Sequence, residues 1–550
     1  MPRDNSDVPT RRTFLKFAGA ATATAAVAGC IGNGDDENGE EDDGNGAEDD
    51  GNGVDDGNGD DDGNGDDDGD TDVDAGEVTI TQGTFPLTLN PIDHNDTPTW
   101  NVVDQAYEPL LYRDAESGEP IELLATEWER TDDQQVELEI RDDVTFHNGD
   151  EMTAEDVAYS IDRTNDPDLS QQAGVIGAIE EATAEDGSVV LDLESVEPVI
   201  FRNLTAFGRI QQEGWVEERD DGELATEMNG TGPYELEDFS DDDEVVYTRF
   251  DDYWGDEPDV EGAIFNAVDD EGTRVDRLIA GESDLVVNVR PDDIAGLDDE
   301  EGLTSEFVPS IRSIFIVMPN DSEPFDSQEF RQAMNYAVDV QSIIDSILSE
   351  FGEPTSQPSL EMQFGYTDDV DPYPYDPDEA ESLVEESGYS GAEITIETPT
   401  GRYLRDTDIA ETVAGQIDDL ENVSADAELR DTASLFDETA TGDMSDSPDI
   451  FLIGWGNPTF DANYTLEPWF APGPFHHFED EEIEGQIADA NAEPDEGARE
   501  EILQDINAEL RDLAPWIFLH QQYSIYGINE DLEWDARADE DVLVKEISLA

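Results

Sequence analysis

From Glu77 onward the sequence predicts an α/β fold, and three features predict it. Segments with the two-residue alternation of strands are interleaved with segments whose apolar residues recur every three or four positions, as on one face of a helix. Capping residues stand ahead of several helical segments. The run Ile450-Phe451-Leu452-Ile453 is apolar without a break, which fits a strand covered on both faces. About 470 residues lie in this part, enough for two or three domains.

Ahead of the α/β part, Thr10-Arg11-Arg12-Thr13-Phe14-Leu15-Lys16 leads into a small apolar run from Phe17 to Ala28 and then Gly29-Cys30, the only cysteine. A charged region, a short apolar region and small residues before a cut site make a secretory signal rather than a membrane span. The pair Arg11-Arg12 marks the twin-arginine export route. Val27-Ala28-Gly29-Cys30 resembles a lipobox, in which the cysteine is lipidated after cleavage. Cys30 is therefore the expected lipidation site, and the outer face of the cell membrane the expected location. A lone thiol forms no internal disulfide. Residues 31–76 repeat Asp-Asp-Gly-Asn-Gly from Asp42, Asp49, Asp55 and Asp61. Glycine and like charge make this an extended tether without a core. It lacks the bidentate Glu and the ligand spacing of a calcium loop.

The elements of the folded part follow in order. Val78 to Thr81 and Val136 to Ile140 alternate as half-buried strands do. Thr153 with Asp156 resembles a capping box ahead of Val157 and Ile161. Asp376-Pro377-Asp378-Glu379 places a cap, an N1 proline and an N3 acid before Ala380, Leu383 and Val384, with Gly388 as the stop. Ile394 to Thr398 reads as a strand. Ile409, Val413, Ile417 and Leu420 line one helical face, and Ile502, Ile506, Leu510 and Leu513 line another before Pro515 ends it.

Charge narrows the setting. The chain holds 145 acids against 24 Lys and Arg, a formal net charge of −121. Only 21 of the acids lie in residues 31–76, so the folded part keeps a charge of about −102, spread along its whole length. At ordinary ionic strength this opposes compaction, whereas molar salt shortens the screening length to about 3 Å. The composition fits a protein adapted to strong brine. An even spread is unlike the single acidic block of a decoy for basic partners, and no basic stripe exists to bind nucleic acid.

Catalytic and metal-binding patterns are absent. The five histidines, His94, His147, His476, His477 and His520, form no His-Glu-x-x-His, and adjacent His476 and His477 would face apart on a strand or helix. Neither lysine, Lys16 or Lys545, follows a phosphate-binding loop, and there is no Gly-x-Ser-x-Gly elbow. Carboxylate pairs occur everywhere by chance, so none marks a hydrolase. A binding role without cofactor or metal is expected.

Several stretches in fixed order resemble the extracellular solute-binding proteins of family 5, the peptide-binding and related receptors of ATP-binding-cassette importers. They begin with Pro86-Leu87-Thr88-Leu89-Asn90-Pro91, Tyr107-Glu108-Pro109-Leu110-Leu111-Tyr112 and Leu124-Ala125-Thr126-Glu127-Trp128. The most specific runs from Leu138 to Arg163. Gly230-Thr231-Gly232-Pro233-Tyr234, Arg277 to Val286, Pro324 to Asp339, Tyr375-Asp376-Pro377 and Ala514-Pro515-Trp516-Ile517-Phe518 complete the order. The resemblance implies two α/β lobes closing over a cleft, with an extra small domain inserted in the first. It places lobe I at 77–110, 229–308 and 510–550, the inserted domain at 111–228 and lobe II at 309–509. Linking strands near 306–312 and 505–515 would form the hinge.

The same resemblance implies the site. Gly454-Trp455-Gly456-Asn457-Pro458-Thr459-Phe460-Asp461 is similar to the family's second-lobe loop, where Trp455 offers an aromatic wall or packs into the core, and Asp461 shapes the loop or accepts a hydrogen bond. Peptide-binding members carry an aspartate three residues after the tryptophan for the ligand's amino group, where this chain has Pro458. Thr84 and Phe85 after the first strand, Asn229, Gly232 and Tyr234 at the glycine-rich crossover, and Arg402 and Tyr403 are further candidates. Gly230 and Gly232 suit a tight turn better than ligand contact, and Arg402 either forks onto a ligand carboxylate or pairs with a local acid. The implied function is a lipid-anchored, monomeric receptor that captures a solute, first of all an oligopeptide, and delivers it to importer permease subunits. An oligosaccharide or other polar solute is the alternative within the class. A secreted salt-adapted hydrolase and a structural surface protein are the alternatives outside it.

Overall fold

The computed structural model describes residues 76–550 except 116, 241–243, 440–449 and 474. The expectations for Arg11, Arg12, Cys30 and the repeated tether lie outside the described residues. One large mixed sheet organises the rest. From one edge its strands are Val423–Leu429, Ala392–Thr398, Ile450–Gly456, Leu303–Val317, Trp516–Asn529, Leu285–Val287, Glu77–Gln82, Gly262–Ala267, Glu244–Arg249 and Tyr234–Ser240, with Gly352–Pro354 also paired to Trp516–Asn529. Glu77–Gln82 runs parallel to both its neighbours, as Ala392–Thr398 does to its own. The first three strands of this order belong to one lobe and the last five to the other. A four-stranded antiparallel sheet built from Ala125–Asp132, Gln135–Ile140, Ser188–Leu193 and Ile179–Ala184, with the helix Ala154–Asn165, forms a separate body with its own core around Val136, Leu138, Ile161 and Phe207.

Local signals account for many of these elements. The Thr153 hydroxyl accepts the Asp156 N–H while the Asp156 carboxylate accepts the Thr153 N–H, the reciprocal pair that the spacing predicts. The helix Pro377–Ser387 starts at an Asp376 cap and ends at Gly388 in the left-handed conformation, φ 87°. Ile450 to Gly454 are all buried, and so are Ile409, Val413, Ile417 and Leu420. The strand Glu77–Gln82 differs from its expected half-burial, because it lies mid-sheet and buries Thr81 and Gln82 as well as Val78 and Ile80. Thr81 is accommodated by its hydroxyl, which meets Asn266 Oδ1 and Ser283 Oγ at 2.6 Å each.

The two lobes share a ribbon. Leu303–Val317 and Trp516–Asn529 run antiparallel along almost their whole length; the end Arg312–Val317 of the first borders the second-lobe strand Ile450–Gly456, and the end Tyr526–Ile528 of the second borders the first-lobe strand Leu285–Val287. Their register slips between Pro309 and Ser313, so that Ser310, Ile311 and Arg312 bulge out. The bulge is tied down: Ser310 O accepts Gln521 Nε2, Ile311 N donates to Ala538 O, and Arg312 forks onto Glu540 at 2.7 and 3.1 Å. The expected first linking segment falls in this ribbon. The second does not lie at 505–515, which is the end of the helix Glu496–Leu513. Pro515 stops that helix, Ala514 turns left-handed at φ 51°, and the crossing strand begins at Trp516.

Candidate functional site

Where the lobes face each other, the first contributes the turn from His94 to Pro98. Gln82, buried at the end of its strand, donates Nε2 to the carbonyls of Thr84 (3.1 Å) and Pro98 (2.9 Å), and Leu87 N donates to Thr99 Oγ1. These bonds hold the loop carrying exposed Thr84 and half-buried Phe85 against the turn; Phe85 packs on Phe239. Asp96 caps the helix Thr97–Val103, its Oδ2 accepting Thr99 N at 3.2 Å and Thr99 Oγ1 at 3.0 Å. Asp96 Oδ1 is buried and accepts no hydrogen bond from the described residues. Its nearest basic neighbour, His94 Nδ1, is 3.9 Å away, and burial lowers the His94 pKa to about 3, so that imidazole is neutral. Burial raises the Asp96 pKa, opposed by the Thr99 hydrogen bonds and by the charge of Arg402.

Arg402 comes from the other lobe, in the loop after Ala392–Thr398. The backbone N–H groups of Gly401, Arg402 and Tyr403 all donate to the Asp406 carboxylate, at 3.1, 2.8 and 3.1 Å, which fixes the loop. The exposed guanidinium of Arg402 lies 5.2 Å from the Tyr403 ring and makes no hydrogen bond or ion pair with the described residues. Tyr403 is buried against Gly454, where an added Cβ would stand 2.6 Å from its ring. Only glycine permits that approach.

Trp455 is half-buried among Tyr464, Trp469 and Phe475, with ring centroids 5.9, 5.6 and 5.6 Å away. It is the second-lobe end of an aromatic row. Trp100 meets Phe207 at 6.0 Å, Phe207 stacks on Tyr464 at 6.1 Å, and Tyr464 leads to Trp455. The Asn95 side chain reaches the Tyr464 hydroxyl, whose pKa burial pushes up to about 12. Asn95 Oδ1, Asp96 Oδ1, Trp100 Nε1 and Trp455 Nε1 are all buried along this row without a hydrogen-bond partner. Each such group costs about 1–3 kcal/mol when nothing meets it, and this row holds four of those found among the described residues.

Asp461 lies nearby and is already engaged. Its oxygens take both arms of Arg499 at 2.7 and 2.6 Å and also the Asn463 N–H, and both partners of the ion pair are buried. Arg202 of the inserted domain stands 3.9 Å off, with the Phe364 ring near both guanidiniums. Asn457 donates to the Asp461 carbonyl, closing the loop on itself. Asn229, Gly232 and Tyr234 have their partners in the first lobe and the inserted domain. Asn229 bonds Asn148, Gln212 and Tyr107, and the buried Tyr234 hydroxyl donates to Val260 O. Gly230 and Gly232 are not left-handed. Glycine is required because a Cβ on either would run into the Gln105–Ala106 backbone, 2.7 Å from Gln105 O in the case of Gly232.

Of the residues expected at the site, Arg402 lies beside the Tyr403 ring, Tyr403 packs on Gly454, Trp455 joins the aromatic row, and Thr84 and Phe85 belong to the first-lobe loop that Gln82 holds. The structure adds Asn95, Asp96 and Tyr464, which the sequence did not single out. Asp-Thr-Pro at 96–98 carries a cap-and-proline helix start, but no spacing rule connects it to Tyr464.

The model of the bacterial extracellular solute-binding proteins, family 5, matches residues 119–476, well over half of the chain. The glutathione-binding protein GsiB of Pectobacterium atrosepticum is 24% identical over 457 residues, covering 81% of this chain and 88% of that protein. Among solved structures, the substrate-binding protein CtaP of Listeria monocytogenes superposes with a TM-score of 0.78 at 22% identity, over 86% of this chain and 99% of that one. The periplasmic binding protein DppA of Helicobacter pylori, in complex with the peptide STSA, does so with a TM-score of 0.75 at 19% identity, over 86% and 98%.

Proposed function

Because the chain belongs to the extracellular solute-binding proteins of family 5, a family of two-lobed receptors, we propose that it captures a peptide-type solute between its lobes and delivers it to an ATP-binding-cassette importer. The set of unpartnered polar atoms beside the Trp100–Phe207–Tyr464–Trp455 row carries this reading. A peptide supplies backbone donors and acceptors for those atoms and side chains for the aromatic walls. The named ligands of two relatives, glutathione and the peptide STSA, are of this kind. Thr84, Phe85, Tyr403 and Trp455 are proposed as contacts, and Asn229, Gly232 and Tyr234 as supports of the first lobe.

Capture works as a population shift. The ligand favours the closed arrangement only by the contacts it makes with both lobes at once, and the shared ribbon lets the lobes move without unfolding. Export through Arg11-Arg12 and lipidation at Cys30 would hold the monomer at the membrane surface on its acidic tether, within reach of the permease subunits.

A thermal-shift titration of the full chain in molar potassium chloride, with short peptides and with neutral oligosaccharides, tests the reading. Peptides should raise the melting temperature, since ligand at a hundred times its dissociation constant adds about 2.7 kcal/mol. Stabilisation by sugars alone, or cleavage of the added peptide seen by mass spectrometry, would overturn it.

A further inference from the structure

We propose that Asp96 of the first lobe receives the ammonium group of a zwitterionic ligand while Arg402 of the second receives its carboxylate, so that the ligand's two charges draw the lobes together. This rests on the peptide-type reading and names the groups that would select such a solute.

The first lobe presents an acceptor held in place. Thr99 fixes Asp96 Oδ2 through two hydrogen bonds, which leaves Oδ1 as the unsatisfied atom. Asn95 Oδ1, also unpartnered, is supplied by the adjacent residue. An ammonium has three donors and no acceptor, so a carboxylate oxygen and an amide oxygen on the same turn suit it. Neutral His94 offers no competing charge.

The second lobe presents the opposite chemistry. Among the described residues the planar guanidinium of Arg402 has no hydrogen bond or ion pair, and its loop is fixed by three backbone N–H groups donating to Asp406. A guanidinium is the fork a carboxylate takes bidentately. Arg402 lies within electrostatic reach of Asp96 without forming an ion pair with it. The other basic and acidic groups close by are committed elsewhere: Arg209 to Asp104, Arg312 to Glu540, and Asp461 to Arg499. With Pro458 in the second-lobe loop and Asp461 paired with Arg499, Asp96 is a carboxylate on the first-lobe turn with an oxygen to give. Molar salt screens the long-range field of the acidic surface but not contacts inside a desolvated seam, so recognition there depends on individual charges.

Isothermal titration calorimetry on the full chain in molar potassium chloride tests this with three ligands: a dipeptide, its N-acetyl form and its C-terminal amide. Wild type should lose at least tenfold in affinity on either modification. Asp96→Asn keeps an equally good helix cap; it should weaken dipeptide binding at least tenfold and bind the N-acetyl form no worse than the dipeptide. Arg402→Gln should abolish the penalty for amidation alone. If wild type binds the dipeptide and Asp96→Asn retains the full preference for the free amine, the assignment fails while the peptide reading stands. If wild type binds none of the dipeptides, tripeptides or glutathione offered, the peptide reading itself fails.

Discussion

Trp455 and Asp461 sit on one loop with opposite commitments. Trp455 keeps an unpartnered indole N–H and a half-exposed ring, whereas Asp461 is sealed in a two-armed pair with Arg499. Removing one partner of a buried pair leaves the other charge uncompensated, at a cost of about 3–5 kcal/mol. Asp461→Ala should therefore lower the urea midpoint sharply in fixed molar salt, and an unchanged midpoint would contradict the described pair. Trp455→Leu removes part of a half-buried side chain and should lower the midpoint less than Asp461→Ala does, yet reduce the ligand-induced melting shift. The indole and the acid were both readable from the loop's sequence, but Arg499 was not, because only the tertiary fold brings it to Asp461. Four histidines offer a residue-scale test by pH. Burial lowers His94 and His520 to about 3, and His147 and His477 to about 4. The unfolded chain binds these protons below its ordinary value near 6.5 and the folded chain does not, so the associated stability is whole above that pH. It drains as pH falls toward 4. Unfolding at pH 5 should take up more protons than at pH 7.5, measurable from the slope of stability against pH, and a flat profile would show that these imidazoles are not buried neutral.

At the scale of elements, what depends on neighbours in sequence was legible and what depends on neighbours in space was not. The Thr153–Asp156 box and the Asp376-Pro377 start are local chemistry, and the chain displays both as spaced. The strand Glu77–Gln82 alternates in sequence yet is covered on both faces, since Thr81 bonds its hydroxyl and Gln82 its amide nitrogen inside. The glycines at 230 and 232 invite a turn explanation, but their backbone conformation is ordinary and the constraint is the Gln105–Ala106 backbone lying against them. Gly230→Ala must displace that backbone, and overpacking of this kind costs about 1–3 kcal/mol or more. Its melting temperature should fall well below that of Gly149→Ala, whose added Cβ meets nothing within 4 Å although its φ of 86° carries some strain. Equal losses would mean that conformation, not proximity, requires glycine at 230.

Across the whole molecule, charge and topology set the behaviour. The two-lobed α/β body was readable through the ordered family-like stretches, while the position of the second crossing strand was not, because its start depends on where Pro515 halts the preceding helix. A formal charge of −121 repels itself most when compact, so the urea midpoint should climb steadily as potassium chloride rises from 0.1 M toward molar levels and the screening length falls from about 10 to about 3 Å. Independence from salt would remove the case for adaptation to brine. Among the described residues the chain passes between its halves twice, and both passages are strands of the same hydrogen-bonded pair, interrupted at Ser310–Arg312. Such a bridge resists stretching and shear but yields to torsion, which leaves one soft coordinate. Spin labels placed on opposite lobes should then report two narrow distance populations rather than a broad continuum, and an importer docked on the outside would meet a receptor with two silhouettes, distinguishable by angle alone.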